Sequence, residues 1–305
     1  MKDFPLVSIV TPSYNMASYL PETLDSVLSQ DYPNIEHIVM DAGSTDGTLD
    51  VLENYKGRLS YTSSPDDGAA DAINRGFAAC KGTIFGWLNA DDTYLPGAIT
   101  SAVRHLQANP NAGAIYGQGY WVDDKGAILR PYPTTSRSSE LLHHDCYICQ
   151  PACFMRSSAF QQVEGLNTQL HSAFDYDLWV RLARNQPLTY LERYLATSRM
   201  HVDNKSLKNR RRVFREGMFV LKRHFGYIPF HWIYSYICYL VDKRDQFYES
   251  LEPSLFNYCL SLPAGLCYNF RRMPAYFNEW RKIMTYDALL RMWNRARGRQ
   301  PVAPR

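Results

Sequence analysis

The fold is decided by residues 6–47, which read LVSIVTPSYNMASYLPETLDSVLSQDYPNIEHIVMDAGSTDG. The short apolar run from Leu6 to Val10 has the length and β-branched composition of a buried strand. Residues 21–28 then repeat apolar side chains at helical spacing behind Pro21, a residue type favoured in the first turn of a helix. A second apolar run at 35–40 ends in the turn-rich segment 41–47. This order predicts the opening of an α/β protein.

The alternation of strands and helices continues beyond this opening. The spacing predicts helices over 48–55, 69–80 and 96–107, and extended segments over 59–62 and 83–88. Such alternation is typical of a mostly parallel sheet with helices on both faces. Because ligands of these sheets bind at the carboxyl ends of the strands, the site is expected there.

Acidic residues follow several of the predicted strands, namely Asp41 and Asp46 after the second and Asp91 and Asp92 after the fourth. Each pair has a structural alternative as turn or helix-capping residues. Carboxylates gathered at one edge repel one another unless a cation or hydrogen bonds compensate. The group therefore indicates a divalent metal, Mg²⁺ or Mn²⁺, bound together with a diphosphate.

Two nucleotide-binding classes are excluded by the loops. No glycine lies between Val10 and Asn15, where a G-x-G-x-x-G dinucleotide turn would have to stand. The chain also lacks a G-x-x-x-x-G-K-[ST] loop, which argues against a P-loop phosphotransferase.

The charge divides the chain in two. The 305 residues are 46% hydrophobic, too apolar for a disordered protein, and carry a formal net charge of +3. Residues 1–204 hold 14 basic and 23 acidic side chains, a net charge of −9, whereas residues 205–305 hold 19 and 7, a net charge of +12. We therefore expect two parts, residues 1–204 and a basic, aromatic-rich helical region at 205–305.

The seven cysteines are an odd number and no signal peptide precedes the first strand, which favours reduced thiols and a cytoplasmic location. Cys146, Cys149 and Cys153 follow His143 and His144, and could be interpreted as a zinc site. Their spacing matches no two-knuckle pattern, and Cys153 lies in an apolar run where a core thiol is usual. The role of the three cysteines stays open.

Four motifs resemble the family 2 glycosyltransferases of GT-A fold. They are VSIVTPSYN at 7–15, DAGSTDGT at 41–48, DG at 67–68 followed by DAINRG at 71–76, and WLNADD at 87–92. The resemblance extends to about Ser206 and implies a GT-A catalytic domain at 1–204, with a nucleotide-sugar-binding half at 1–108 and an acceptor half at 109–204. It implies transfer of a sugar from a nucleotide-sugar, with UDP as the expected nucleotide, to a saccharide or lipid-linked saccharide in surface polysaccharide synthesis.

By this resemblance, Asp91 stands in the metal-binding D-x-D motif, whose first acid is replaced here by Asn89, as in a Trp-Leu-Asn-Ser-Asp-Asp subgroup. Asp92 would orient the loop, Asn89 would contact the ribose, and Asp41 would accept a hydrogen bond from a uracil-like base. The residues that the resemblance assigns to the nucleotide-sugar are Pro12, Tyr14, Asn15, Asp41, Asp67, Asp71, Asn74, Asn89 and Asp92.

On the acceptor side, QPACF at 150–154 and FDYDLWVR at 174–181 resemble the family, which implies acceptor contacts for Gln150 and Trp179 and the catalytic base at Asp175. The alternative for Asp175 is an N-cap of the following helix. The segments RMH at 199–201 and NKS at 204–206 resemble the family's Arg-x-His segment. They imply that His201 joins the metal site or contacts the diphosphate, and that Arg199 or Lys205 holds a phosphate.

The implied reaction is inverting displacement, with Asp175 as general base. One rival is a catalytically silent protein that binds a nucleotide-sugar or serves as a scaffold on the same fold. The other is a nucleotidyltransferase, which should carry a Gly-rich, basic phosphate loop after the first strand; this chain has none.

The basic C-terminal region has two uncharged runs, 225–241 and 253–270, bordered by cations. Both are too short and too rich in Tyr to span a bilayer. Aromatic residues with Lys and Arg borders favour peripheral attachment to an anionic membrane surface, on the cytoplasmic face. The alternative is a helical tail that packs on the catalytic domain or on a second subunit as a homodimer. Nucleic acid is not an expected partner, because no recognition motif accompanies the cations.

Overall fold

The structure is a computed structural model that describes residues 4–136, 139–201, 204–243 and 254–283. Its internal contacts divide the chain into two compact units, residues 1–208 and 209–305. The roles expected for residues 1–204 and 205–305 stay predictions.

The first unit opens with the alternation that the sequence predicts. β1 pairs in parallel with β2 and β4, and β2 pairs in parallel with β3, so their carboxyl ends share one edge. The α/β prediction is thereby confirmed. The elements are β1 (Val7–Ser13), α1 (Leu20–Leu28), β2 (Ile35–Asp41), α2 (Thr48–Asn54), β3 (Ser60–Ser63), α3 (Ala69–Ala79), β4 (Ile84–Trp87), β5 (Thr93–Tyr94) and α4 (Ala98–Ala108).

The local sequence explains these elements. Val7, Ile9 and Val10 of β1 are fully buried, as expected for a central strand covered on both faces by helices. In α1, Leu20 and Leu24 recur one turn apart on the buried face, and a proline stands in the first turn.

The second half of this unit makes the sheet mixed. β8 lies antiparallel between β4 and β6, whereas β6 and β9 are parallel, so only the first four strands of the order form a wholly parallel set. The strand order is β3-β2-β1-β4-β8-β6-β9-β5, with β7 paired to β6. The elements are β6 (Ala114–Val122), β7 (Ile128–Pro131), β8 (Cys153–Arg156), α5 (Ser157–Gln162), α6 (Phe174–Asn185), β9 (Leu188–Arg199) and α7 (Lys205–Lys208), with short 3-10 helices at Ser139–His143 and Gln150–Ala152.

The end of β9 reaches the loop that follows β4. β9 pairs antiparallel with β5, and the hydroxyl oxygens of Thr93 and Thr197 lie 2.7 Å apart in a buried hydrogen bond. This pairing brings Arg199 and His201 beside residues 89–92, although about 110 residues separate them along the chain.

The second unit is helical, as predicted. Its core includes the fully buried ring of Tyr276, which packs so closely on Gly265 that a Cβ there would lie 1.9 Å from the ring. No helix in the described part of the chain is long and apolar enough to cross a bilayer. The helices are α8 (Arg210–Phe225), α9 (Phe230–Asp242), α10 (Leu255–Tyr268) and α11 (Met273–Ile283), with a 3-10 turn at Phe270–Arg272.

Candidate active site

Asp41 organises the carboxyl edge of the sheet. Ser13, Asp41 and Ser63 are in register at the ends of three neighbouring strands. The Asp41 carboxylate is buried, and Oδ2 accepts hydrogen bonds from the amides of Gly43 and Ser44 and from the Ser63 hydroxyl. Oδ1 accepts the Ser44 hydroxyl and retains a further acceptor direction. Asp41 thus holds the turn after β2 and still has capacity for a donor on a bound base.

The turn after β1 is locked to the turn after β2 through Asn15. Asn15 adopts a left-handed backbone conformation with φ of 53°, which asparagine tolerates better than most residues. Its amide donates to Ser44 Oγ at 2.8 Å, and its Oδ1 accepts from the Thr45 amide at 2.9 Å. The Tyr14 ring remains 59% exposed beside half-buried Pro12, which leaves an aromatic face at the edge of the sheet.

The residues on and before α3 that the resemblance assigns to the nucleotide-sugar have different hydrogen-bond partners. Asp71 accepts from the amide of exposed Asp67 at 3.3 Å and pairs with Arg75 at 3.6 Å, at the start of the helix. Asn74 instead donates to the Leu166 carbonyl at 2.8 Å and accepts from the Leu166 amide at 2.9 Å. Both ends of the Asn74 amide thus tie α3 to the segment after α5, and a nucleotide contact for Asn74 stays a prediction.

Asp91 and His201 form a pair at the carboxyl edge. His201 Nε2 lies 3.0 Å from Asp91 Oδ2, with side-chain exposures of 2% and 13% respectively. The Tyr19 ring packs 4.7 Å from the imidazole, and buried His201 Nδ1 has no hydrogen-bond partner in the structure. One carboxylate and one imidazole suit a divalent ion whose other ligands are water and phosphate oxygens. The two side chains therefore fit the metal that the sequence predicts.

The Asn89 side chain links Asp92 to Gln150, next to the pair of Asp91 and His201. Its Nδ2 donates to Asp92 Oδ2 at 3.1 Å and to Gln150 Oε1 at 3.0 Å, and Gln150 Nε2 donates to the Trp87 carbonyl at 2.9 Å. An aspartate at position 89 would place a second carboxylate beside Asp92 and repel it, whereas the Asn89 side-chain amide donates a hydrogen bond to it. This is a physical reason why asparagine replaces the first acid of the D-x-D motif. The Gln150 amide spans two loops, so the acceptor contact predicted for it has no support here.

Asp92 is buried and orients the loop, as its predicted role requires. Its Oδ1 accepts the Arg199 amide at 2.9 Å, and its carbonyl accepts the Thr23 hydroxyl at 2.8 Å. Burial first, and the neighbouring Asp91 charge second, raise the pKa of the Asp92 carboxyl. The buried Asp92 carboxylate therefore holds the loop from the protein interior, and Asp91 is the acid of this loop that is partly exposed.

The prediction that Arg199 holds a phosphate is wrong. The side chain is almost fully buried, and its guanidinium donates to the backbone carbonyls of Asp91, Asp124 and Asp123 at 2.9, 3.1 and 3.3 Å. It also pairs with Glu22 at 2.5 Å. Arg199 is thus a clamp on the loop that carries Asp91. Lys205 begins α7, and its side chain lies outside what the structure describes.

Asp175 lies in the first turn of α6, two residues after the N-cap residue Ala173. The N-cap alternative is therefore wrong, although the helix N-terminus favours the ionised carboxylate that a general base needs. Asp175 is half-buried, and its Oδ1 accepts from the Tyr176 amide at 2.8 Å. Burial and then the Asp175 charge raise the pKa of the Cys146 thiol.

Tyr132 is a further titratable group affected by the Asp175 charge. Burial first, and then the charges of Cys146, Cys149 and Asp175, raise the pKa of its phenol. Sequence reasoning missed Tyr132 and left Cys146 without a role, because no spacing pattern connects either residue to Asp175. Both are brought there by the chain between β6 and α6.

The acceptor contact predicted for Trp179 is wrong. The indole is fully buried and stacks on Trp87, with ring centroids 5.5 Å apart and planes inclined by 9°. Nearby Asp177 is also buried and pairs with Arg181 at 2.7 Å. Because Trp87 precedes residues 89–92 and Trp179 lies one turn after Asp175, the stack fixes α6 relative to the loop of Asp91.

The zinc alternative has no support. Cys149 and Cys153 are buried among the core residues of the sheet. Within the described ranges, no three or more His, Cys, Asp or Glu side chains are arranged to hold a metal ion. A metal at Asp91 and His201 would therefore rely on two side chains from this part of the chain, together with ligands from the substrate and water.

Solved structures with a similar fold are GT-A transferases. Residues 1–349 of TarS from S. aureus, in complex with UDP-GlcNAc, match 97% of this chain and 93% of that chain with a TM-score of 0.62 and 14% identity. A mannosyltransferase from Pyrobaculum calidifontis, in complex with GDP-Man and Mn²⁺, matches 97% of this chain and 81% of that chain with a TM-score of 0.57 and 17% identity. The GT-A fold is thereby confirmed.

The family follows from the sequence matches. Residues 8–164 match the family Glycosyl transferase family 2, and the chain belongs to this family. An uncharacterized glycosyltransferase of Rickettsia felis is 35% identical over 219 residues, which are 67% of this chain and 36% of that protein. Chondroitin synthase of Escherichia coli is 27% identical over 212 residues, 68% of this chain and 31% of the synthase. The chain thus spans about a third of the length of these two relatives.

Proposed function

We propose that this chain is an inverting, metal-dependent glycosyltransferase that moves a sugar from a UDP-linked donor to a saccharide or lipid-linked saccharide acceptor. The observation that carries the proposal is the pair of Asp91 and His201, 3.0 Å apart at the carboxyl edge of a GT-A sheet. The relatives support the substrate class, because TarS is solved with UDP-GlcNAc and one relative is a chondroitin synthase. Synthesis of a surface polysaccharide is the corresponding process.

The donor is proposed to lie across the turns after β1 and β2. The exposed Tyr14 ring offers a face for the base, and Asp41 Oδ1 offers an acceptor for a base N–H. Asp91 and His201 would hold Mn²⁺ or Mg²⁺, which, when bound, neutralises the charge that develops on the departing diphosphate. A mannosyltransferase of similar fold is solved with Mn²⁺, which supports the metal class.

Asp175 is the proposed general base. The ionised carboxylate accepts the proton of the acceptor hydroxyl while that oxygen attacks the anomeric carbon opposite the leaving diphosphate, and the configuration inverts. Its position at the start of α6 favours the ionised form. General-base assistance of this kind contributes about 10²- to 10⁴-fold in rate.

Asp175→Asn tests this role. The amide cannot accept the proton, so turnover should fall at least about 100-fold, while the affinity for the nucleotide-sugar, measured by calorimetry, should stay within about twofold. Asp50→Asn, at an exposed acid of α2, is the control and should leave both quantities unchanged. Wild-type turnover in Asp175→Asn would refute the assignment.

The alternative hypothesis, a catalytically silent protein that binds a nucleotide-sugar, predicts a different result. Wild-type protein would then bind UDP without transferring or hydrolysing sugar from any donor. Mass spectrometry of the acceptor mixture distinguishes the two, because transfer adds the mass of one sugar residue.

A further inference from the structure

Helix α10 exposes an apolar stripe. None of its fourteen residues is charged. Four of its six exposed side chains recur at the 4-3-4 spacing of one helical face, whereas Tyr258, Ser261 and Gly265 on the opposite face are buried. A helix that is apolar on its exposed side as well as its buried side lacks a polar surface for water. The stripe consists of Phe256, Leu260, Pro263 and Cys267.

The apolar surface continues past the end of α10. Phe270 is 73% exposed, more than any other large hydrophobic residue in the described ranges, and Met273 and Phe277 are exposed one turn apart on α11. Helix α11 packs on the buried side of α10, where the Tyr276 ring meets Gly265 and its hydroxyl donates to the Ser261 carbonyl at 2.8 Å, so Met273 and Phe277 are not counted with the stripe. The stripe of α10 together with Phe270, which follows it in the chain, is called the apolar face below.

Cations border the apolar face. Residues 254–283 contain four basic side chains, all exposed, and one acidic side chain, Glu279. Glu279 is half-buried and accepts the hydroxyl of Tyr227. The described end of this unit is therefore positive: Arg271 and Arg272 directly follow Phe270 of the apolar face, and Arg281 and Lys282 are the two other cations.

We propose that the apolar face docks on an anionic lipid bilayer, with its aromatic side chains at the level of the headgroups. Apolar side chains rimmed by Lys and Arg are the composition of an interfacial segment that binds anionic leaflets. Two copies docked through this face would bring like charges together, which disfavours a second copy as the occupant. The inference deepens the proposed transfer to a lipid-linked acceptor, because it places the enzyme where such an acceptor lies.

Two kinds of substitution separate the contribution of the apolar side chains to membrane binding from that of the cations. Phe270→Ala removes the most exposed aromatic anchor, and loss of one buried Phe side chain corresponds to about a tenfold weaker partition into vesicles. Arg271→Gln with Arg272→Gln removes two cations at about 1 kcal/mol each, or about 25-fold. Ile128→Ala, at a 61% exposed residue of β7 in the other unit, is the matched control.

The test is co-sedimentation of the full chain with vesicles of phosphatidylcholine alone or with one quarter phosphatidylglycerol. We expect binding to the mixed vesicles that weakens with salt, falls about tenfold in Phe270→Ala and stays unchanged in Ile128→Ala. No binding by the full chain, equal binding to both vesicles, or equal losses in Phe270→Ala and Ile128→Ala would overturn the proposal.

A velocity sedimentation run without lipid tests the other occupant. A dimer that dissociates on Phe256→Glu would assign the face to a second copy and also overturn the proposal, whereas a monomer supports it. Neither assay uses a sugar donor, so failure here is distinguishable from failure of the proposed transferase activity.

Discussion

Replacing Arg199 with Met tests how the loop of Asp91 is held. The guanidinium donates to the carbonyls of Asp91, Asp123 and Asp124 and pairs with Glu22. Methionine retains an unbranched apolar chain of similar reach but no donor. We expect the loop at 89–92 to lose its main side-chain support.

The loss of stability depends on whether each former partner of Arg199 can form a hydrogen bond to water instead. The Glu22 side chain is 59% exposed, so the ion pair contributes at most about 1 kcal/mol. Asp124 is exposed and its carbonyl regains water, whereas the carbonyls of half-buried Asp91 and Asp123 lose a donor at a cost of about 1–3 kcal/mol each. The free energy of unfolding should therefore fall by about 2–7 kcal/mol.

Urea unfolding followed by tryptophan fluorescence measures this loss. Glu22→Gln is the control for the ion pair and should cost less than about 1 kcal/mol. Arg199→Lys should lose nearly as much as Arg199→Met, because a lysine cannot bridge several carbonyls at once. An Arg199→Met protein within about 0.5 kcal/mol of the wild type, or a Glu22→Gln protein equally destabilised, would refute the clamp.

Two further predictions concern the nucleotide half. Asn89→Asp, which completes a D-x-D motif, should lower the free energy of unfolding by about 2 kcal/mol, because the hydrogen bonds to Asp92 and Gln150 are lost; a more stable variant in urea unfolding would contradict this. Buried His37, whose Nε2 lies 3.0 Å from Thr11 Oγ1, has a pKa lowered by burial to about 3. The unfolded chain takes up this proton below about pH 6.5 and the folded chain does not, so stability falls as the pH falls. Between pH 7 and pH 5 the wild type should lose about 2 kcal/mol more than His37→Gln, and equal losses would contradict the buried neutral imidazole.

The local sequence was sufficient to predict the first strands and helix of the fold. Apolar runs and turn residues determine β1, α1 and β2, since each depends on neighbours within a few residues. The parallel order of these strands then places Asp41 and the loop of Asp91 at one edge. The antiparallel direction of β8 was not predicted. The described residues of the long connection after β6 include no crossover helix, and no sequence pattern there indicates the direction of β8.

The residues that failed as predicted contacts have a common cause. Trp179 and Arg199 are residue types that bind sugars and phosphates, yet the Trp179 indole is buried against Trp87 and the Arg199 guanidinium donates to backbone carbonyls remote in sequence. The partners of Arg199 are mostly backbone carbonyls, which leave no signature in a sequence. Burial and pairing are tertiary properties, so motif resemblance alone assigns these side chains to the wrong surface.

The most direct test of the central claim is a nucleotide-release assay on the wild-type chain with a panel of nucleotide-sugars, a saccharide acceptor mixture and Mn²⁺. The account predicts metal-dependent release of UDP from at least one donor, lost in Asp91→Asn and in Asp175→Asn. Binding of UDP with no release from any donor in the panel would contradict it.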